Sequence, residues 1–290
     1  MDTAPLAQPE PDTVAAAFDV HRPKADCATG LVFCSPHSGS VYPADMMADV
    51  DEARLRLVED AAMDRLIASA APRGAALLLA RYGRAYVDLN RAEDDLDPAL
   101  IIDCPLDQPG PKTLAGYGVL HRVSGDNMPL YERRLTMADV EARLDRVHRP
   151  YHRQLSQLMH EAREGAGRAV LVDWHSMPER ATGQNGPDIV LGDRHGSSCD
   201  AVWTRTLRAL FEAQGWRVGL NRPYAGGYAT QLWGRPEENF HAVQIEVNRR
   251  LYWDEVRHAP AAGWKRCDSA LKRVIAQFCA MAAPHHTGRE

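Results

Sequence analysis

No two cysteines in this chain are close enough to make a C-x-x-C pair: the six fall at Cys27, Cys34, Cys104, Cys199, Cys267 and Cys279. That spacing speaks against a thiolate zinc cluster or a disulfide framework, so reduced thiols in a cytosol are expected. Long apolar runs are missing too. No stretch approaches the roughly 20 apolar residues that span a bilayer, and the N-terminus lacks a positive segment followed by an apolar one. A cytoplasmic protein that does not enter the membrane is the expectation. Positive charge is not in excess, since the formal net charge is -5. Nucleic-acid binding draws on clustered Lys and Arg against phosphate, so no nucleic acid is expected as a partner. A G-x-S-x-G elbow is absent, and Cys34 lies inside an apolar run as a small hydrophobe, which argues against nucleophilic hydrolysis. Gly116-Tyr117-Gly118 lacks the third glycine of a phosphate-binding fingerprint because His121 stands in its place. The partner expected is a small molecule.

What is present reads as an ordinary globular chain of 290 residues, 45% hydrophobic and 25% charged. Strand-like and helix-like segments alternate, which predicts a three-layer α/β/α sandwich. Residues 1–25, rich in Ala, Pro and Asp and without a period, read as a loose leader. Residues 26–283 read as a single catalytic domain, and 284–290, with His285 and His286, as a flexible tail. Strands are expected at 31–34, 75–80, 84–91, 169–175, 188–191 and 217–220, and around Glu246. One helix is expected from about Asp51, with Leu55, Val58, Ala62, Leu66 and Ala70 on its apolar face. A second runs from an N-cap at Thr136 to about Glu164 and carries His148, His152 and His160 as surface or boundary residues. Two more are expected at about 200–215 and 262–282. The Gly- and Pro-rich connection 104–128 suits a lid or pocket wall.

Three apolar runs end abruptly in polar chemistry: one at His37, one at His175, and one at Glu246. In an open α/β sheet, ligands bind outside the carboxyl ends of the strands, so these side chains can converge there. Two imidazoles and a carboxylate make a catalytic zinc site, expected at one zinc per chain. A zinc-carboxypeptidase spacing would put a Glu three residues after the first His, but Ser40 occupies that position. The acidic ligand then comes from the following helix, where Asp60 and Asp64 share a face and Glu59 is a third candidate. Glu246, inside an apolar run, reads either as a base for a metal-activated water or as half of a buried ion pair with Arg249 or Arg250. Asn90 and Arg91 suit two-point contact with a substrate carboxylate, or a salt bridge with the acidic run 93–97. The loop 221–228, with Arg222 and Tyr228, is expected to contact substrate.

Ser35-Pro36-His37-Ser38-Gly39, Tyr86-Val87-Asp88-Leu89-Asn90-Arg91, Asp173-Trp174-His175-Ser176-Met177, Gly226-Gly227-Tyr228 and Gln244-Ile245-Glu246-Val247-Asn248 follow one another in this order. Together they resemble the N-formylglutamate amidohydrolase family, itself similar to zinc carboxypeptidases and to aspartoacylase and succinylglutamate desuccinylase. The resemblance implies a mixed-sheet fold of zinc-carboxypeptidase or phosphorylase/hydrolase type and a single zinc. It implies His37 and His175 as ligands, Asn90 and Arg91 as holders of the substrate carboxylate, Glu246 as base, and an N-acyl amino acid as substrate. A peptidase of carboxypeptidase type and a metal-free binding protein on the same scaffold are the other readings.

Overall fold

Seven strands build the central sheet: β1 (Phe18–His21), β2 (Leu31–Ser35), β3 (Ala76–Ala80), β4 (Ala169–Met177), β5 (Ile189–Gly192), β6 (Val218–Leu220) and β7 (Phe240–Asn248). Their spatial order is β1-β3-β2-β4-β7-β5-β6. The structure is a computed structural model that describes residues 16–24, 27–106 and 108–283. Strands β3, β2, β4 and β7 run parallel, as do β5 and β6, whereas β1 is antiparallel to β3 and β5 to β7. The sheet is therefore mixed, as the family resemblance implies.

Each central strand feeds two cores, because successive side chains point to opposite faces. On one face Leu31, Phe33, Val172, Trp174 and Ile245 pack with Leu207, Phe211, Leu271 and Phe278. These come from the helices Ala201–Glu212 and Trp264–Ala282. On the other, Val32, Cys34, Leu78 and Leu171 pack with Tyr151, Leu155 and Leu158 of the helix Arg149–Ala166. Helices on both faces of the sheet give the three layers. No helix among the described residues is long and apolar enough to cross a membrane.

The structure departs from the sequence-based expectation at several points that matter for the site. The helix expected from Asp51 is broken: Glu52–Leu55 passes into a 3-10 turn at Arg56–Val58, and Met63–Ile67 starts anew after Ala62, whose φ is 58°. Apolar spacing of three and four persists across the break, so the pattern alone hides it. Residues 84–91 are not a strand but a series of turns. Inside the stretch read as a loose leader, Phe18–His21 pairs with β3 as the edge of the sheet. The tail 284–290 lies outside the described residues, as do 1–15. The helix from Thr136 is continuous and opens with a capping box between Thr136 and Asp139. It widens into a π turn at Leu144–His148 just before Pro150, which has no N–H to give the ladder.

Candidate metal centre and active site

Parallel β4 and β7 are in register so that His175 lies beside Glu246 and Asp173 beside Gln244. With a period of two, these four side chains share one face at the carboxyl ends of the strands. His37 joins them from the turn after β2. Asp60 arrives through the break in the helix. Its backbone N–H donates to His37 O at 2.9 Å, which fixes the turn that aims its carboxylate inward.

His37, Asp60 and His175 are all buried, and one donor atom from each lies within 4.8 Å of the others. Both imidazoles face Asp60 Oδ2 with Nδ1, at 3.4 Å from His37 and 2.9 Å from His175. Of their other nitrogens, His37 Nε2 donates to Asp88 Oδ1 at 2.7 Å, while His175 Nε2 lies 2.9 Å from Asp173 Oδ2. A carboxylate beside Nε2 favours the tautomer that keeps Nδ1 free on the Asp60 side, where a metal ligand would face. His37 Nδ1 is buried with no hydrogen-bond partner. Two imidazole nitrogens and a carboxylate oxygen, oriented this way, fit a divalent cation of the zinc class.

The charge balance agrees. Burial opposes it, but the His175 and His37 imidazoles beside it hold the Asp60 carboxyl well below the usual range. Burial lowers the proton affinity of His175, yet Asp173 and Asp60 raise it well above the ordinary value. Asp60 Oδ1 is taken up by Arg249 Nη2 at 3.2 Å and by Ser176 Oγ at 3.1 Å. That leaves Oδ2 for the imidazole side.

The other acidic candidates point elsewhere. Glu59 accepts from the Tyr42 hydroxyl at 2.8 Å, and Asp64 is half-buried on Met63–Ile67, away from the cavity. Neither ion-pair alternative for Glu246 forms. Arg249 bonds to Asp60, and Arg250 to Asp188 at 2.6 Å, while Glu246 accepts from Gln244 Nε2 at 2.8 Å. Burial pushes the Glu246 carboxyl up to about 7, against the pull of His175. Cys34 donates to Asp173 Oδ1 at 3.2 Å, and burial keeps its thiol protonated.

A cavity of about 510 Å³ opens over this group, with Glu246, Asn90, Arg91 and Tyr224 among the residues in its wall. The Asn90 amide is committed internally. Its Oδ1 accepts from Ala229 N at 2.9 Å, and its Nδ2 donates to Asp173 Oδ2 at 3.4 Å and lies 3.1 Å from His175 Nε2. Any side chain at Gly227 would overlap this amide, so the glycine lets loop 221–228 close against it. Arg91 makes a long pair with Asp95, 3.6 Å, within the acidic run. Arg222 and Tyr228 do not reach the cavity. Arg222 is exposed, and Tyr228 opens the helix Tyr228–Trp233 with its ring against His152. Tyr224 of the same loop stands in the wall instead.

Sequence reasoning gave no site role to Asp88, Asp173 or Arg84, and it read the helix histidines as surface or boundary residues. The period of two in β4 could have found Asp173 beside His175. Asp88 is the hub of the turns at 84–91, accepting from Arg84 Nε at 2.8 Å, His121 Nε2 at 3.1 Å and Asn90 N at 2.8 Å. Rather than facing solvent, His148 and His152 donate to Arg91 O and Leu89 O at 2.9 and 3.0 Å, buttressing those turns. Burial pushes His152 down to about 3. An unfolded His titrates near 6.5, so between about 3 and 6.5 the unfolded chain binds more protons and stability is lost as the pH drops. His152→Gln should flatten the loss of stability between about pH 6.5 and 4.5 by up to about 1 kcal/mol per pH unit, as read by urea unfolding. Equal slopes would show that His152 does not titrate in this way.

With the geometry in place, comparison with known proteins decides the family: the family model described as N-formylglutamate amidohydrolase matches residues 29–253. The chain belongs to the N-formylglutamate amidohydrolase family. An N-formylglutamate deformylase of Pseudomonas aeruginosa is 33% identical over 256 residues, covering 86% of this chain and 90% of that one. A deformylase of the same name from Pseudomonas putida is 32% identical, covering 78% of this chain and 82% of that one. The crystal structure of an N-formylglutamate amidohydrolase from Ralstonia eutropha superposes with a TM-score of 0.87 at 34% identity, covering 92% of this chain and 99% of that one. The matched region contains the whole His37, Asp60, His175 and Glu246 group.

Proposed function

We propose that this amidohydrolase-family chain hydrolyses N-formyl-L-glutamate, or a closely related N-acyl amino acid, to formate and the free amino acid. The observation that carries the reading is the buried His37, Asp60 and His175 donor set beneath a cavity that Glu246 and Arg91 also line. The names of the relatives supply the substrate class. His37, Asp60 and His175 would hold one zinc, which when bound polarises the amide carbonyl and acidifies a water.

The chain's own groups do the rest. Glu246, without an ion pair among the described residues and raised by burial, takes the proton from the attacking water and returns it to the leaving nitrogen. Asp88 and Asp173 hold the two imidazoles in one tautomer, and Arg249 holds Asp60 in place. Asn90 positions His175 and the loop 221–228, while Arg91 anchors a substrate carboxylate. Because a guanidinium binds a carboxylate as a two-pronged fork, Arg91→Lys should raise KM by about tenfold although charge is kept. An unchanged KM would remove Arg91 from that role.

The reading is tested by formate release from N-formyl-L-glutamate with and without a chelator, beside release of a C-terminal residue from a peptide. Chelator-sensitive formate release without peptide cleavage is expected. Peptide cleavage without formate release would transfer the chain to carboxypeptidase chemistry.

A further inference from the structure

The cationic side chains around the active-site cavity differ in what neutralises them. Arg84 is paired with Asp88, Arg249 with Asp60 and Glu255, and Arg91 with Asp95. Two others have no carboxylate partner among the described residues. Lys112, on the short helix Pro111–Leu114, makes no side-chain hydrogen bond or ion pair, although it lines the cavity. Arg180 donates to a single backbone oxygen, Gly125 O at 2.8 Å, and lines the cavity where it adjoins a second one of about 620 Å³. The acidic groups in the cavity wall, Asp60 and Glu246, are the ones assigned to the metal and to proton transfer. The wall thus carries two cationic side chains that have no ion pair among the described residues, with Glu59, Asp126, Glu179 and Glu255 lining the adjoining cavity on the Arg180 side.

Resting on the amidohydrolase reading above, we propose that Lys112 and Arg180 are the specificity-determining residues for a dicarboxylic substrate, Lys112 sharing with Arg91 one of its two carboxylates and Arg180 taking up the other. An ammonium and a guanidinium suit this division: both gain a direct counter-ion when an anion enters. The proximity of Arg91 and Arg84 lowers the proton affinity of Lys112, after burial, the larger cause. A bound carboxylate relieves that repulsion. The long connection expected to form a pocket wall therefore supplies a recognition group as well.

The test separates recognition from turnover. Binding of glutarate, a five-carbon dicarboxylate with no amide to cleave, is compared by calorimetry with glutaramate, in which one carboxylate is an amide. The metal-loaded wild type, Lys112→Met and Arg180→Met are measured. Both side chains reach solvent, so neither substitution disturbs the core. Loss of one charge-assisted contact should weaken glutarate binding roughly 10- to 100-fold in each variant. Each variant should also lose the wild type's preference for glutarate, because glutaramate can turn its one carboxylate to whichever cation remains. Wild-type affinity for glutarate in either variant, or a preserved preference in either, would overturn the proposal. Formate release by the same wild-type sample tells the readings apart: this binding pattern without release leaves the dicarboxylate site standing and removes N-formyl-L-glutamate as substrate.

Discussion

Glu246→Gln should lower kcat by about 10²- to 10⁴-fold while the protein keeps its metal. The amide preserves the shape of the carboxylate and can still meet Gln244, but it cannot accept the proton of an attacking water. Glu246 is not one of the residues whose donor atoms cluster for a metal, so the metal content should not change. Its exposure is 6%, and its bonded neighbour is a neutral amide. A carboxylate so placed, rather than in an ion pair with Arg249 or Arg250, is available as a base. The measurement is kcat together with metal per chain. Retained turnover would exclude Glu246 from proton transfer, and lost metal would move it into the ligand set.

Asp60→Asn should cut metal affinity by more than about 100-fold, since removing even a hydrogen-bonding partner of a ligand costs about 10- to 100-fold. The substitution takes away the anion faced by both imidazoles and leaves the buried Arg249 with only its 3.4 Å pair to Glu255. Asp64→Asn is the matched control. It lies one helical turn away in sequence, but on the far side of the break at Ala62. Metal content and activity should survive Asp64→Asn and both be lost in Asp60→Asn. The reverse result would mean that the broken helix does not aim Asp60 at the site.

These two residues also show what the sequence makes legible. His37, His175 and Glu246 could be read because an apolar run stopped by a polar residue marks a strand end, whatever surrounds it. The parallel strands then bring such ends together at one edge of the sheet. Choosing among Asp60, Asp64 and Glu59 was not possible from pattern, because what selects Asp60 is a tertiary hydrogen bond to His37 O and a left-handed Ala62. Neither leaves a trace in the apolar period. Residues 84–91 alternate as a strand would, yet Asp88 draws Arg84, His37, His121 and the Asn90 N–H around itself, and the chain coils instead. His148 and His152 look like scattered surface histidines until that coil is packed against their helix. Arg222 and Tyr228 were chosen for loop composition, and composition does not tell which side of a loop faces a cavity.

The central claim is that His37, Asp60 and His175 hold a metal on which hydrolysis depends. Its most direct test is to strip the protein with a chelator and return zinc in measured steps, following formate release from N-formyl-L-glutamate. Activity should vanish on stripping and return in proportion to zinc, reaching its plateau at one equivalent per chain. Undiminished release from fully stripped protein, or a plateau that is unaffected by His175→Ala, would contradict it.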